Sequence, residues 1–174
     1  MPGRYMNAPE VQLEYLADRP EFIPTVAGWH RREWAHFRPD DSIETWIGKL
    51  KDVCGHRGVP TVLVAVREGE LAGSAMLLKE SMQTRKELSP WLAGVIVAPQ
   101  FRRRGIGGLL VDRIVHEARM LGFGRLYLWT PSVEQFYANR GWTTMERTTY
   151  REVDVAVMSR PIVPIAGAAP GDTG

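Results

Sequence analysis

Three consecutive arginines, Arg102, Arg103 and Arg104, run straight into Gly105-Ile106-Gly107-Gly108. Such a stretch can hold an anion. The forked guanidinium of arginine matches phosphate oxygens two at a time. Glycines let backbone N–H groups approach an anion with no Cβ in the way. Before the arginines, the apolar run Leu92–Ala98 reads as a strand that stops at Pro99. After them, apolar residues recur with helical spacing from Ile106 to Leu121. The glycines therefore fall at a helix start, where free N–H groups and the positive end of the helix dipole favour negative charge. The pattern is neither a P-loop, which needs Lys-Ser or Lys-Thr after its glycines, nor a dinucleotide fingerprint, which would need glycine at Leu110. A basic loop capped by a glycine turn is the structural alternative.

A second chemical candidate is Tyr137. Arg125–Trp129 alternates like a strand, and Thr130-Pro131-Ser132 follows, with Thr130 or Ser132 suited to capping a helix. Val133, Phe136, Tyr137 and Arg140 then step along one helical face, and Gly141 suits the residue just past its end. A phenol with an ordinary pKa of about 10 is protonated at neutral pH and can donate to a developing negative charge. An aromatic at helical spacing is otherwise a core residue.

The two blocks together resemble the GNAT superfamily of N-acetyltransferases. Arg102-x-x-Gly105-x-Gly107 resembles that family's acetyl-CoA signature, and Phe136-Tyr137-x-x-x-Gly141-Trp142 its second signature, about thirty residues later. The resemblance implies an α/β (α+β) fold: a mixed, mostly antiparallel sheet of about seven strands, flanked by about four helices and splayed between strands four and five. It implies acetyl-CoA as co-substrate and no metal. The pantetheine arm would lie against the backbone of Val95, Ile96 and Val97. The pyrophosphate would sit on Arg103, Arg104, Gly105, Ile106, Gly107 and Gly108, with Arg102 also among the coenzyme-binding residues. Thr130 occupies a slot where relatives often carry a coenzyme-contacting asparagine. Tyr137 would act as the general acid toward the leaving thiolate. The implied activity is direct transfer of an acetyl group to a primary amine of a small molecule or peptide. The alternative is a coenzyme A-binding regulatory or interaction module without turnover.

Many relatives place a glutamate base on strand four, yet Trp91–Val97 contains no acid. The remaining candidates are Glu33, taken first, then Glu87, His30 and His36; a water chain with no dedicated base fits equally well. The wall of the acceptor site is expected from Trp29, Glu33, Trp34, His36, Phe37, Trp46, Met82 and Trp91, an aromatic set that suits apolar or cationic groups and that core packing also explains.

Positioning these residues takes one compact domain. The 174 residues are 44% hydrophobic and 24% charged, enough for a core without staples. The single cysteine, Cys54, excludes an internal disulfide framework and a cysteine metal cluster. A net charge of +2 gives no general nucleic-acid surface, and the dense basic run already has a phosphate to explain it. No apolar stretch approaches the roughly 18–20 residues of a membrane span. A cytoplasmic protein is expected, with no nucleic-acid or membrane partner, and a homodimer is compatible with the chain.

The elements read in order as a strand at Val11–Leu16, helices at Glu21–Phe37 and Ser42–Val53, and a hairpin of Thr61–Arg67 and Glu70–Leu78 turning at Glu68-Gly69. A polar loop from Lys79 to Pro90, the strand Leu92–Ala98 and the helix Ile106–Leu121 follow. Strand and helix around Tyr137 come next, then a closing pair at Thr143–Tyr150 and Glu152–Met158. Residues 1–160 are expected to form the domain. Residues 161–174, rich in Pro, Gly and Ala, are expected to be a disordered tail.

Overall fold

The computed structural model describes residues 10–165 and 167. Seven strands form one sheet: β1 (Val11–Tyr15), β2 (Thr61–Arg67), β3 (Glu70–Leu78), β4 (Trp91–Val97), β5 (Arg125–Thr130), β6 (Thr143–Tyr150) and β7 (Val153–Pro161). Their spatial order is β1-β2-β3-β4-β5-β7-β6, antiparallel throughout except for the parallel pair β4–β5. Four helices flank it: α1 (Ile23–Trp34), α2 (Ile43–Asp52), α3 (Ile106–Met120) and α4 (Glu134–Ala138). The expected element order and the expected mixed sheet are both present.

Alternation along β2 assigns the helices to faces. Leu63 and Ala65 point into a core shared with α3, which contributes Ile106, Leu110, Val111, Ile114 and Ala118. Val62, Val64 and Val66 point the other way, into a core with Val26 and Ala27 of α1 and Leu50 of α2. A strand covered on both faces reads as an unbroken apolar run rather than an alternating one. On the α1 side of the β5-β7-β6 half there is no long helix among the described residues. That face is covered by the β3–β4 loop, where Met82 packs with Trp91, Tyr150, Val155 and Val157.

Three boundaries depart from expectation. The helix expected over Glu21–Phe37 is α1 between two 3-10 turns, Pro20–Phe22 and Ala35–Phe37. Pro24 belongs at the start of α1 because its missing N–H is one that has no intrahelical partner there. At the other end Arg38 precedes Pro39, which disfavours continued helix. α4 is shorter than expected and closes tightly. The Trp142 N–H donates to the Tyr137 carbonyl and the Gly141 N–H to the Ala138 carbonyl, while Gly141 takes φ +87°. This paired bonding around a left-handed glycine is the Schellman closure.

The third departure is the tail boundary. β7 reaches Pro161, Ile162 is buried in the α3 core, and the Ile165 N–H donates to the Arg119 carbonyl at 3.1 Å. An apolar side chain at 162 and a bonded backbone extend the packed chain past residue 160. Residue 166 and residues 168–174 of the expected tail lie outside the described residues.

Candidate active site

β4 and β5 are joined at one end only. The single register pair is Trp91 with Tyr127, supported by the Tyr127 N–H donating to the Pro90 carbonyl at 3.1 Å. Beyond it the strands diverge and leave backbone groups facing a gap. β4 also carries an extra residue. Ser74 faces Ile96 and Met76 faces Ala93, so Gly94 and Val95 together oppose Ala75. Gly94 sits at φ +61°, a left-handed conformation that glycine adopts without a Cβ penalty. A cavity of about 610 Å³ opens at the gap.

The arginine–glycine segment lies at the end of β4. Gly105 takes φ +78° as the residue capping α3, and Arg103 takes φ +61°. Arg102, Arg103 and Arg104 are exposed. Arg102 is partly committed, since its Nε donates to the Val97 carbonyl at 3.1 Å. A Cβ on Gly107 would point at Val97 Cγ2, 3.6 Å away, and at Phe136 Cζ, 3.8 Å away. Gly107 therefore faces the space between β4 and α4. Gly108 is a notch filled by Arg140, whose Nη2 lies 1.8 Å from where a Cβ would be. Arg140 stacks on Phe136 and pairs with Asp112 at 3.4 Å. Exposed arginines, free helix-start N–H groups and a glycine facing the gap are a donor set suited to a phosphorylated, extended ligand.

Tyr137 and Thr130 also line the cavity. Tyr137 is 7% exposed, and burial pushes its pKa up to about 12. It is thus a neutral phenol over the whole physiological range. Its ring packs edge-on against Phe136 and Trp142. Thr130 is buried, and its hydroxyl oxygen accepts the N–H groups of Ser132 and Val133. That bonding shapes the turn into α4 and so fixes where Tyr137 emerges. Neither Thr130 nor Ser132 is the expected cap: the N-cap of α4 is Val133, with no side-chain cap bond, and Thr130 bonds within the turn before it.

The other wall is assembled from separated segments. Glu33, Trp34, His36, Phe37 and Trp46 line it, as expected, and His30 joins them. Glu33 is exposed. His30 is 5% exposed, its Nε2 has no hydrogen-bond partner among the described residues, and burial lowers its pKa to about 4. Other members of the expected set are elsewhere. Trp29 packs between the two main cores, and Met82 and Trp91 are buried under the β3–β4 loop. Glu87 is outside the cavity and lies near Arg85, which is bonded to Glu146 of β6. Trp129, Tyr150 and Arg151 line the cavity without having been singled out from the sequence. Their strand ends converge only once the sheet order is known. Gly94 did carry a signal, because a glycine inside an apolar strand often marks a bulge. Cys54 is half-buried and its thiol pKa is raised by burial, which is the opposite of an activated nucleophile.

Among the described residues no cluster of three or more His, Cys, Asp or Glu side chains is placed to hold a metal ion, and no helix is long and apolar enough to cross a membrane. No curated protein sequence matches the chain. Solved structures match its fold. Aminoglycoside 6'-acetyltransferase type Ii aligns with TM-score 0.67 at 17% identity, over 88% of this chain and 99% of that one. The protein yncA from Salmonella typhimurium, solved with its cofactor acetyl-CoA, aligns with TM-score 0.66 at 15% identity, over 94% and 99%. The ribosomal-protein-S18-alanine N-acetyltransferase from Escherichia coli aligns with TM-score 0.61 at 20% identity, over 91% and 97%. Identities this low speak for fold alone. The family model for the acetyltransferase (GNAT) family, however, matches residues 23–142, more than half of the chain and a span that contains both the glycine turn and Tyr137. The chain belongs to the GNAT acetyltransferase family.

Proposed function

We propose that this acyltransferase moves the acetyl group of acetyl-CoA to a primary amine of a small molecule or peptide, with both substrates bound together. The observation that carries the reading is the gap between β4 and β5, flanked on one side by the glycine turn of α3 and on the other by Tyr137. Acetyl-CoA supplies an activated acyl group as a thioester. The N–H groups at the start of α3, with Arg103 and Arg104, hold its phosphates. Arg102 is tied to the Val97 carbonyl and joins them by exchanging that bond. The unpaired backbone of Val95 to Val97 receives an amide-bearing arm as a strand would.

At the reacting centre, a backbone N–H in the bulged segment, that of Val95, steadies the oxygen on which negative charge develops. Tyr137 donates a hydrogen bond to the departing sulfur. A phenol near pKa 12 is a weak acid against a free thiol near 8.5. Sulfur leaving into the same apolar pocket is desolvated too, and its proton affinity rises with that of the phenol. The two are thus better matched than their free values suggest. Holding donor and acceptor in one cavity supplies a further part of the rate.

The test is release of free thiol from acetyl-CoA across a panel of amines, with the acetylated amine identified by mass. Acetyl-amine formation above the uncatalysed rate supports the reading. Tight coenzyme binding with no acceptor consumed would instead favour a binding module.

A further inference from the structure

We infer that His30 is the group that takes the proton from the attacking amine, at the bulge of β4. This rests on the acyl-transfer reading above and names the base that the acid-free strand β4 lacks. The imidazole comes from α1 and reaches the left-handed point of β4. Its Nε2 lies 3.4 Å from where a Cβ on Gly94 would stand, one residue from the Val95 N–H assigned to the oxygen. Glycine at 94 therefore does two things: it accepts φ +61°, and it leaves room for the ring. The methyl of Met76 lies against the same spot, 2.5 Å from that Cβ position. It is the flexible cover that an entering amine displaces.

Nε2 is buried and has no hydrogen-bond partner among the described residues. Buried polar atoms in folded proteins are nearly always paired, and an orphan in a cavity wall is a group awaiting one. Trp34, edge-on to the ring at 5.3 Å between centroids, helps to hold it. An unprotonated ring nitrogen is an acceptor, so it can receive an amine N–H.

The chemistry balances without another reagent. The uncharged amine nitrogen bonds to the acyl carbon as the carbon–sulfur bond breaks. The nitrogen becomes strongly acidic as its lone pair enters the new bond, and its proton passes to Nε2. The thiolate takes the electron pair and the hydrogen bond of Tyr137. A weakly basic imidazole suffices for this late transfer, though not for stripping a free ammonium ion. Glu33, one turn further along α1 at the solvent side of the cavity, is then not the group that meets the amine.

The experiment compares wild type, His30→Gln and His30→Ala, using phenylethylamine, N-α-acetyl-lysinamide and a seryl tripeptide amide as acceptors. Acetyl-CoA affinity is measured alongside by calorimetry. Expected is a fall in kcat of about 100-fold in His30→Gln, with acetyl-CoA affinity within twofold of wild type. Added imidazole should restore part of the rate to His30→Ala. Turnover by wild type with His30→Gln within twofold of it overturns the assignment and leaves acyl transfer standing. Loss of rate in His30→Gln together with no imidazole rescue of a folded His30→Ala also overturns it, since packing then explains the loss. Wild type that binds acetyl-CoA but acetylates none of the three acceptors overturns both readings.

Discussion

The two walls of the cavity are built in different ways. On the proposed reading the coenzyme-side wall comes from two short continuous segments, residues 95–108 and 130–142. Each is a strand end, a turn and a helix start in succession. The acceptor-side wall comes from α1, the turn after it, α2, the end of β5 and the β6–β7 turn, which meet only in the folded sheet. On the proposed reading, one wall has a fixed chemical task, gripping phosphate and a thioester. The other is a mosaic of aromatic rings with Glu33, His30 and Arg151 among them. A continuous segment can keep its geometry while the mosaic is altered piece by piece, so on that reading the coenzyme and the acceptor would be read by separately adjustable parts.

Four measurements would break or sharpen that contrast. The largest effect is expected at Gly107→Val. A Cβ there makes only ordinary contacts with Val97 and Phe136, so the fold should persist, while the branched methyls enter the gap. Calorimetry should show coenzyme A binding weakened by about a thousandfold, roughly 4 kcal/mol. A folded variant with normal affinity would move the coenzyme out of the gap.

The acceptor-side wall should announce itself by acid sensitivity. His30 has a folded pKa of about 4 against about 6.5 unfolded, so the unfolded state binds the proton more tightly. Stability is unaffected above pH 6.5, declines as pH falls through the window from 6.5 to 4, and levels off below it. Urea unfolding should show wild type losing about 3 kcal/mol more than His30→Gln between pH 7.5 and pH 4. Equal losses would mean that the ring is hydrated or paired.

Next in size is Tyr137→Phe, which keeps the ring and removes one oxygen. Steady-state kinetics should show kcat down by roughly 100-fold with KM for acetyl-CoA little changed. A near-normal kcat, with chemistry rate-limiting, would make Tyr137 a packing residue of α4. The smallest effect is expected at Arg104→Glu, an exposed site on the coenzyme side: about tenfold weaker acetyl-CoA binding, shrinking as salt is added. No salt dependence would argue against a phosphate contact.

The same contrast explains what could be read in advance. The turns at Arg102 to Gly108 and Phe136 to Trp142 are legible because each sits in consecutive residues with a local geometric reason: left-handed glycine at 105, Schellman closure at 141. β2 and α3 are legible from periodicity. Trp129 and Tyr150 were not, because nothing local distinguishes an aromatic that lines a cavity from one that fills a core. Trp29, Met82 and Trp91 erred in the opposite sense for the same reason. The helix ends at Phe22 and Trp34 depended on competition between α and 3-10 bonding, which periodicity does not resolve.

The lone β4–β5 bridge has a mechanical meaning. A sheet normally transmits load across every strand through a ladder of bonds. Here the four-stranded leaf and the three-stranded leaf share one rung, at Trp91 and Tyr127, and otherwise lean on the apolar layer beneath α3. A guest lying between the leaves completes the missing rungs. If the coenzyme lies there as proposed, it would be a splint as much as a reactant: at a hundred times its dissociation constant, such a guest adds about 2.7 kcal/mol to the folded state.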